Sequence, residues 1–84
     1  MPRSDKRREA IERNPRHVRF EELDALLRDW GFTRRQRSRG SSHYVYRLRR
    51  WHLSVPVHRP HLRPYVVQEA LELIREIEAE EGEG

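Results

Sequence analysis

Residues 37 to 47 read RSRGSSHYVYR, with arginines on either side of a Gly-Ser-Ser turn and a histidine entering an alternating aromatic run. These residue types suit chemistry on a phosphate. An imidazole, with an ordinary pKa of ~6.5, reaches both protonation states near neutral pH and can take or give a proton. Guanidinium forks match phosphate oxygens bidentately and stabilise charge that builds up there. His43 is therefore the candidate acid/base group, and Arg47, on the same face of the same strand, a candidate phosphate clamp. Arg37 and Arg39 are candidates for gripping a nucleic-acid backbone. Ser41 and Ser42, beside Gly40, are candidates for donating hydrogen bonds to a phosphate oxygen. Each has a plainer reading: a lone histidine at a strand start is more often an ordinary surface residue, and serines beside glycine more often simply make a turn.

The surrounding charge favours a phosphate partner. No acidic residue occurs between Asp29 and Glu69, a window rich in arginine and histidine, whereas the segments on either side mix signs or turn acidic. The net charge of +4 thus hides an electrically polar chain, with a basic middle suited to nucleic acid. His52, His58 and His61 also invite a reading as metal ligands, but no acid or cysteine accompanies them and the arginines would repel a cation. No metal or small-molecule cofactor is expected. The absence of cysteine excludes a disulfide framework and a thiolate zinc site.

The elements that must position these groups fit one small domain, since 84 residues leave no room for a second core. In RFEELDALLRDWGF, Phe20, Leu23, Leu26, Leu27 and Trp30 recur at spacings of three and four, giving a helix with one apolar stripe. Gly31 then stands where a helix end needs a left-handed residue, with Phe32 folding back over Leu27. The pattern changes to strands over FTRRQR, SHYVYRL and WHLSVPV, joined by a turn at residues 38 to 41 and a basic turn at Arg49 and Arg50, with Pro56 marking an edge or the end of pairing. The loop HRPHLRP leads into a last helix whose apolar face runs from Val66 to Ile77 and which frays beyond Glu78. Along the middle strand, Tyr44, Tyr46 and Leu48 share one face and His43, Val45 and Arg47 the other; with the first set on the helices, the second faces solvent. Residues 4 to 13 predict a short helix, capped by Ser4 and stopped by Asn14-Pro15, that needs something to dock on. The expected organisation is an N-terminal arm over residues 1 to 17, a folded domain over 18 to 78 and an acidic flexible tail over 79 to 84. The fold class is α+β: two helices on one face of a three-stranded antiparallel sheet, the other face open. No apolar stretch approaches a membrane span and the charged start lacks a signal peptide's apolar core, so the expected location is the cytoplasm.

The succession of L-L-x-x-W-G-F, G-S-S-H-Y-V-Y-R and L-S-V-P-V-H, followed by a proline loop and a final helix, resembles the HicA family of toxins over roughly residues 18 to 78. These are small ribonucleases of toxin–antitoxin pairs, with a double-stranded-RNA-binding-domain-like fold, that cleave messenger RNA and are neutralised by a HicB antitoxin. The resemblance implies an endoribonuclease (mRNA interferase) acting on single-stranded mRNA, with a HicB-like antitoxin as partner. Its Gly-Ser-His element falls on Gly40, Ser41 and His43, making His43 the catalytic histidine, and its proline and histidine fall on Pro56 and His58, a second catalytic candidate. Here Ser42 intervenes where many members place the histidine directly after Gly-Ser. RNA cleavage of this kind uses the substrate's own 2′-hydroxyl as nucleophile, so a base, an acid and positive charge suffice. A non-catalytic RNA-binding module would account for the same charge map and element order, and an assembly partner built on the arm and the acidic helix is a third reading.

Overall fold

The computed structural model describes residues 5 to 36 and 42 to 83. Ser4 and the turn over residues 38 to 41 lie outside them, and with the turn the expectations for Arg37, Arg39, Gly40 and Ser41. Among the described residues the chain forms α1 (Asp5–Arg13), α2 (Phe20–Asp29), β1 (Thr33–Gln36), β2 (His43–Leu48), β3 (Trp51–Pro56) and α3 (Pro64–Glu83). The strands make one antiparallel sheet in the order β1-β2-β3. The architecture is small α+β with an open sheet, and no described helix is long and apolar enough to cross a membrane.

The end of α2 sets the first strand in place. Gly31 has φ +98, its amide donates to Arg28 O at 2.9 Å, and the Phe32 amide reaches back to Leu27 O at 3.1 Å. That is the Schellman pattern expected of the sequence, with Leu27 and Phe32 both buried. Strand β2 pairs with β3 through Tyr44↔Val55, Tyr46↔Leu53 and Leu48↔Trp51, so directly opposite residues share a face. All six of these side chains belong to or pack against the core that the three helices complete. Tyr46 is fully buried and Tyr44 stacks on Phe20 with ring centroids 5.1 Å apart. The tyrosines are thus packing residues, as the strand parity predicts.

Pro56 closes β3 opposite His43. The Val57 amide bonds Ser42 O at 2.8 Å, so Ser42 and Val57 form a hydrogen-bonded pair and the alternation places His43 and Pro56 at a position where β3 donates nothing to β2. A proline there costs no ladder bond, and β3 is an edge strand, where prolines are tolerated.

Two expectations need revision. The last helix does not fray beyond Glu78: α3 runs on to Glu83, because Glu80 and Glu81 find Arg50 and Arg49 in the β2–β3 turn. Both guanidiniums also lie over the Trp51 ring, at 4.4 Å for Arg50 and 5.4 Å for Arg49, so the turn and the helix end hold each other. The N-terminal segment is also more than an arm. Ile11 of α1 is 2% exposed within the common core, Arg7 bonds Asp29 at 2.6 Å, and Arg8 forks onto both oxygens of Glu78 at 3.1 Å.

Candidate functional site

Alternation along the strands leaves Thr33 and Arg35 of β1, His43, Val45 and Arg47 of β2, and His52, Ser54 and Pro56 of β3 on the sheet face away from the helices. Of these only Val45 and Pro56 are part-buried; the rest are exposed. The register places Arg47 between Thr33 and His52, and Val45 between Arg35 and Ser54. The face therefore carries two arginines and two histidines and no carboxylate. Arg35 and Arg47 have no salt bridge among the described residues. His43 stands at the end of β2 that the described residues reach through Ser42, which is exposed.

His58 is brought to the same end of the sheet. It follows directly on the Val57–Ser42 backbone bond, which extends the β2–β3 pairing by one rung past Pro56. Its Nδ1 lies 3.0 Å from His61 O. A carbonyl only accepts, so Nδ1 carries the proton and donates, which leaves Nε2 as the acceptor of the neutral ring. His43 and Arg47 thus share the open face, with His58 in the loop that adjoins its end, while Ser42, one residue before His43, has the parity of Tyr44. Among the described residues no group of three or more His, Asp or Glu is placed to hold a metal.

The basic window is less uncompensated than the sequence implies. Arg34 pairs with Asp24 at 3.1 Å, Arg59 with Glu21 at 3.0 Å, Arg49 with Glu81 at 3.0 Å, and Arg50 with Glu80. All four carboxylates lie outside the window in sequence. They return in space because α2 and α3, which carry them, pack alongside the sheet and its connections. The open face has no carboxylate of its own, but Glu69, Glu72 and Glu76 of α3 line a pocket with His52 and Ser54 at its β3 edge.

A second basic cluster could not be found from the window alone. The Leu62 amide bonds Val18 O at 2.8 Å, tying the α1–α2 linker to the β3–α3 loop. This juxtaposes Arg16, His17 and Arg19 with Arg59, His61 and Arg63, and the His17 and His61 rings meet edge to face at 5.1 Å. The linker lies before the window, with Arg16 and His17 in the segment read as an arm and Arg19 at the start of the segment read as the folded domain. Its signal was the run Arg16-His17-Val18-Arg19, in which only Val18 is buried. Here the Glu21 carboxyl is held below the ordinary range, first by the hydrogen bond from Arg59 and further by the charge of Arg19, and the Arg59 guanidinium is raised in turn. Since α2, β2 and α3 all begin at this end of the molecule and Glu78, Glu80 and Glu81 lie toward the far end of α3, the structure has a basic pole beside His43 and His58.

No protein family, curated protein or solved structure matches this chain.

Proposed function

We propose that this protein is a HicA-like toxin, a metal-independent endoribonuclease that cleaves mRNA in the cytoplasm across its open sheet face. The observation that carries the reading is the composition of that face: His43, Arg35, Arg47 and His52 are exposed with no carboxylate among the face's own side chains, the acids Glu69, Glu72 and Glu76 of α3 standing beside its β3 edge at His52. Scattered surface charge normally mixes signs, and a face whose own charged side chains are arginines and histidines suits a polyanion. The order α2-β1-β2-β3-α3 matches that of a double-stranded-RNA-binding-like domain, and α1 is then an addition to it.

In this reading one imidazole takes the proton of the substrate's 2′-hydroxyl, whose oxygen bonds to the adjacent phosphorus while the bond to the 5′-oxygen breaks. A second imidazole protonates that departing oxygen. The products are a 2′,3′-cyclic phosphate and a free 5′-hydroxyl. His43 is the principal acid/base group, and His58, with Nε2 as its acceptor, the second. Arg47 stands four residues from His43, so its Cα lies about 13 Å further along the strand. It grips the RNA beside the reacting phosphate. A HicB-like antitoxin covering this face would block binding and cleavage together.

Labelled single-stranded RNA incubated with the protein in excess chelator tests the proposal. Fragments ending in cyclic phosphate are expected from the parent and none from His43→Ala, which keeps its fold and its RNA affinity. Full activity in His43→Ala would overturn the assignment of that residue. Tight, salt-sensitive binding without fragments would select the non-catalytic RNA-binding module instead.

A further inference from the structure

We propose that the cleft between Arg19 and Arg59 is a second phosphate subsite, which holds the RNA backbone away from the point of cleavage and is completed by the segment joining α1 to α2. The inference rests on the RNA reading of the open face and adds a site to it.

The cleft is lined by Arg19, Arg59 and Pro60, one arginine coming from the linker and the other from the β3–α3 loop. One of its arginines, Arg59, already pairs with an anion. The Glu21 carboxylate bonds Arg59 at 3.0 Å and sits within the field of Arg19, so it competes for the same guanidinium. Both members of the Arg59–Glu21 pair are about three-fifths exposed, at 61% and 62%. Exposed pairs of this kind are weakly held and exchange readily with solvent ions. A phosphodiester offers the same guanidinium two oxygens, as the Glu21 carboxylate does through Oε1 and Oε2, and its binding also releases condensed counterions from the RNA, which pairing with an internal carboxylate does not. Arg16 and Arg63, exposed and without a salt bridge among the described residues, continue the charge on either side. Tyr65 adds a base-stacking candidate. It is the large apolar side chain left exposed among the described residues, at 58%, two positions after Arg63 in the first turn of α3.

The linker's position follows from the fold. Docking of Ile11 in the core and the Val18–Leu62 backbone bond fix residues 14 to 19 against the loop that also carries His58. RNA lying on His43 and His58 therefore meets Arg59 and Arg19 next.

The test is fluorescence anisotropy of a 2′-O-methyl single-stranded RNA, which lacks the attacking hydroxyl and stays intact, titrated with the full chain across a range of salt concentrations. Arg19→Ala and Arg59→Ala are each expected to weaken binding about fivefold near 0.1 M salt and to flatten the log–log salt slope by about 0.7, the loss of one single-strand phosphate contact. Glu21→Gln, which removes the competing carboxylate, is expected to tighten binding. Glu9→Gln, an equal charge change at an exposed position of α1, sets the baseline for net charge alone. Tyr65→Ala should weaken binding with the slope unchanged. Circular dichroism confirms that each variant is folded. Parent-like affinity in the Arg19→Ala/Arg59→Ala double variant, or equal effects of Glu21→Gln and Glu9→Gln, would overturn the subsite while leaving RNA binding by the open face intact. A parent that binds no RNA would overturn both.

Discussion

The phenol of Tyr46, fully buried in the middle strand, donates a 2.7 Å hydrogen bond to Oδ1 of Asp24 on α2. The same oxygen takes the Arg34 guanidinium of β1 at 3.1 Å, and Oδ2 takes Arg28 at 3.2 Å. One carboxylate thus joins α2 to both β1 and β2, on the side of the sheet opposite His43.

This arrangement predicts an order of stability. Asp24→Ala leaves a buried hydroxyl without its acceptor and should cost about 1 to 3 kcal/mol, whereas Tyr46→Phe removes the hydroxyl and leaves Asp24 its two arginines, costing about 1 kcal/mol. Urea midpoints measure both, and the reverse order would contradict the hydrogen-bond assignment. A pH dependence accompanies it. Burial, reinforced by the Asp24 bond, raises the Tyr46 pKa far above the ordinary phenol value. The folded state therefore holds this proton more tightly than the unfolded chain does. The contribution is fully present below about pH 10 and is lost as pH rises beyond it. Tyr46→Phe should flatten the alkaline fall in stability.

The His58 bond to the His61 carbonyl carries a kinetic prediction under the nuclease reading. His58→Ala should lower kcat by about 10²- to 10⁴-fold with KM little changed, and should remove one limb of a bell-shaped pH–rate profile. A merely structural role for the loop would lower activity at all pH values alike and leave both limbs in place.

Periodicity made much of this legible. The stripe from Phe20 to Trp30, the Gly31 stop and the alternation of Tyr44, Tyr46 and Leu48 each encode a local geometry, and each appears in the structure where the pattern places it. Hence the open face and the exposure of His43 and Arg47 could be read in advance. Charge could not be read along the chain in the same way, because a carboxylate acts through space. Glu21, Asp24, Glu80 and Glu81 lie outside the basic window yet reach Arg59, Arg34, Arg50 and Arg49 within it. For the same reason the acidic end of α3 read as a tail, although its partners stand 30 and 32 residues earlier, and the linker arginines gained their meaning only from the Val18–Leu62 bond.

Gly31 offers a local test of the α2 end. At φ +98 any side chain is strained, while an added Cβ would meet Leu48 Cδ1 at an ordinary 3.5 Å. Backbone strain, not a clash, then sets the cost of Gly31→Ala, expected at about 1 to 3 kcal/mol. Chemical denaturation should show it with the m-value unchanged, and a neutral substitution would mean that the Schellman geometry is not held in solution.

Whether α1 belongs to the domain can be decided by comparing its apolar and ionic anchors. Ile11 is 2% exposed and surrounded by core, so Ile11→Ala should cost about 2 to 5 kcal/mol by losing burial and leaving a cavity. The fork from Arg8 onto Glu78 is well formed, but Glu78 is 55% exposed, and solvent screening should hold the cost of Glu78→Gln to about 1 kcal/mol or less. High salt should narrow the gap between parent and Glu78→Gln and leave the Ile11→Ala deficit in place. If α1 is an integral part of the fold, Ile11→Ala unfolds in one transition at a lower urea midpoint. A parent-like main transition preceded by a separate early one would show instead that α1 melts off a domain able to stand without it.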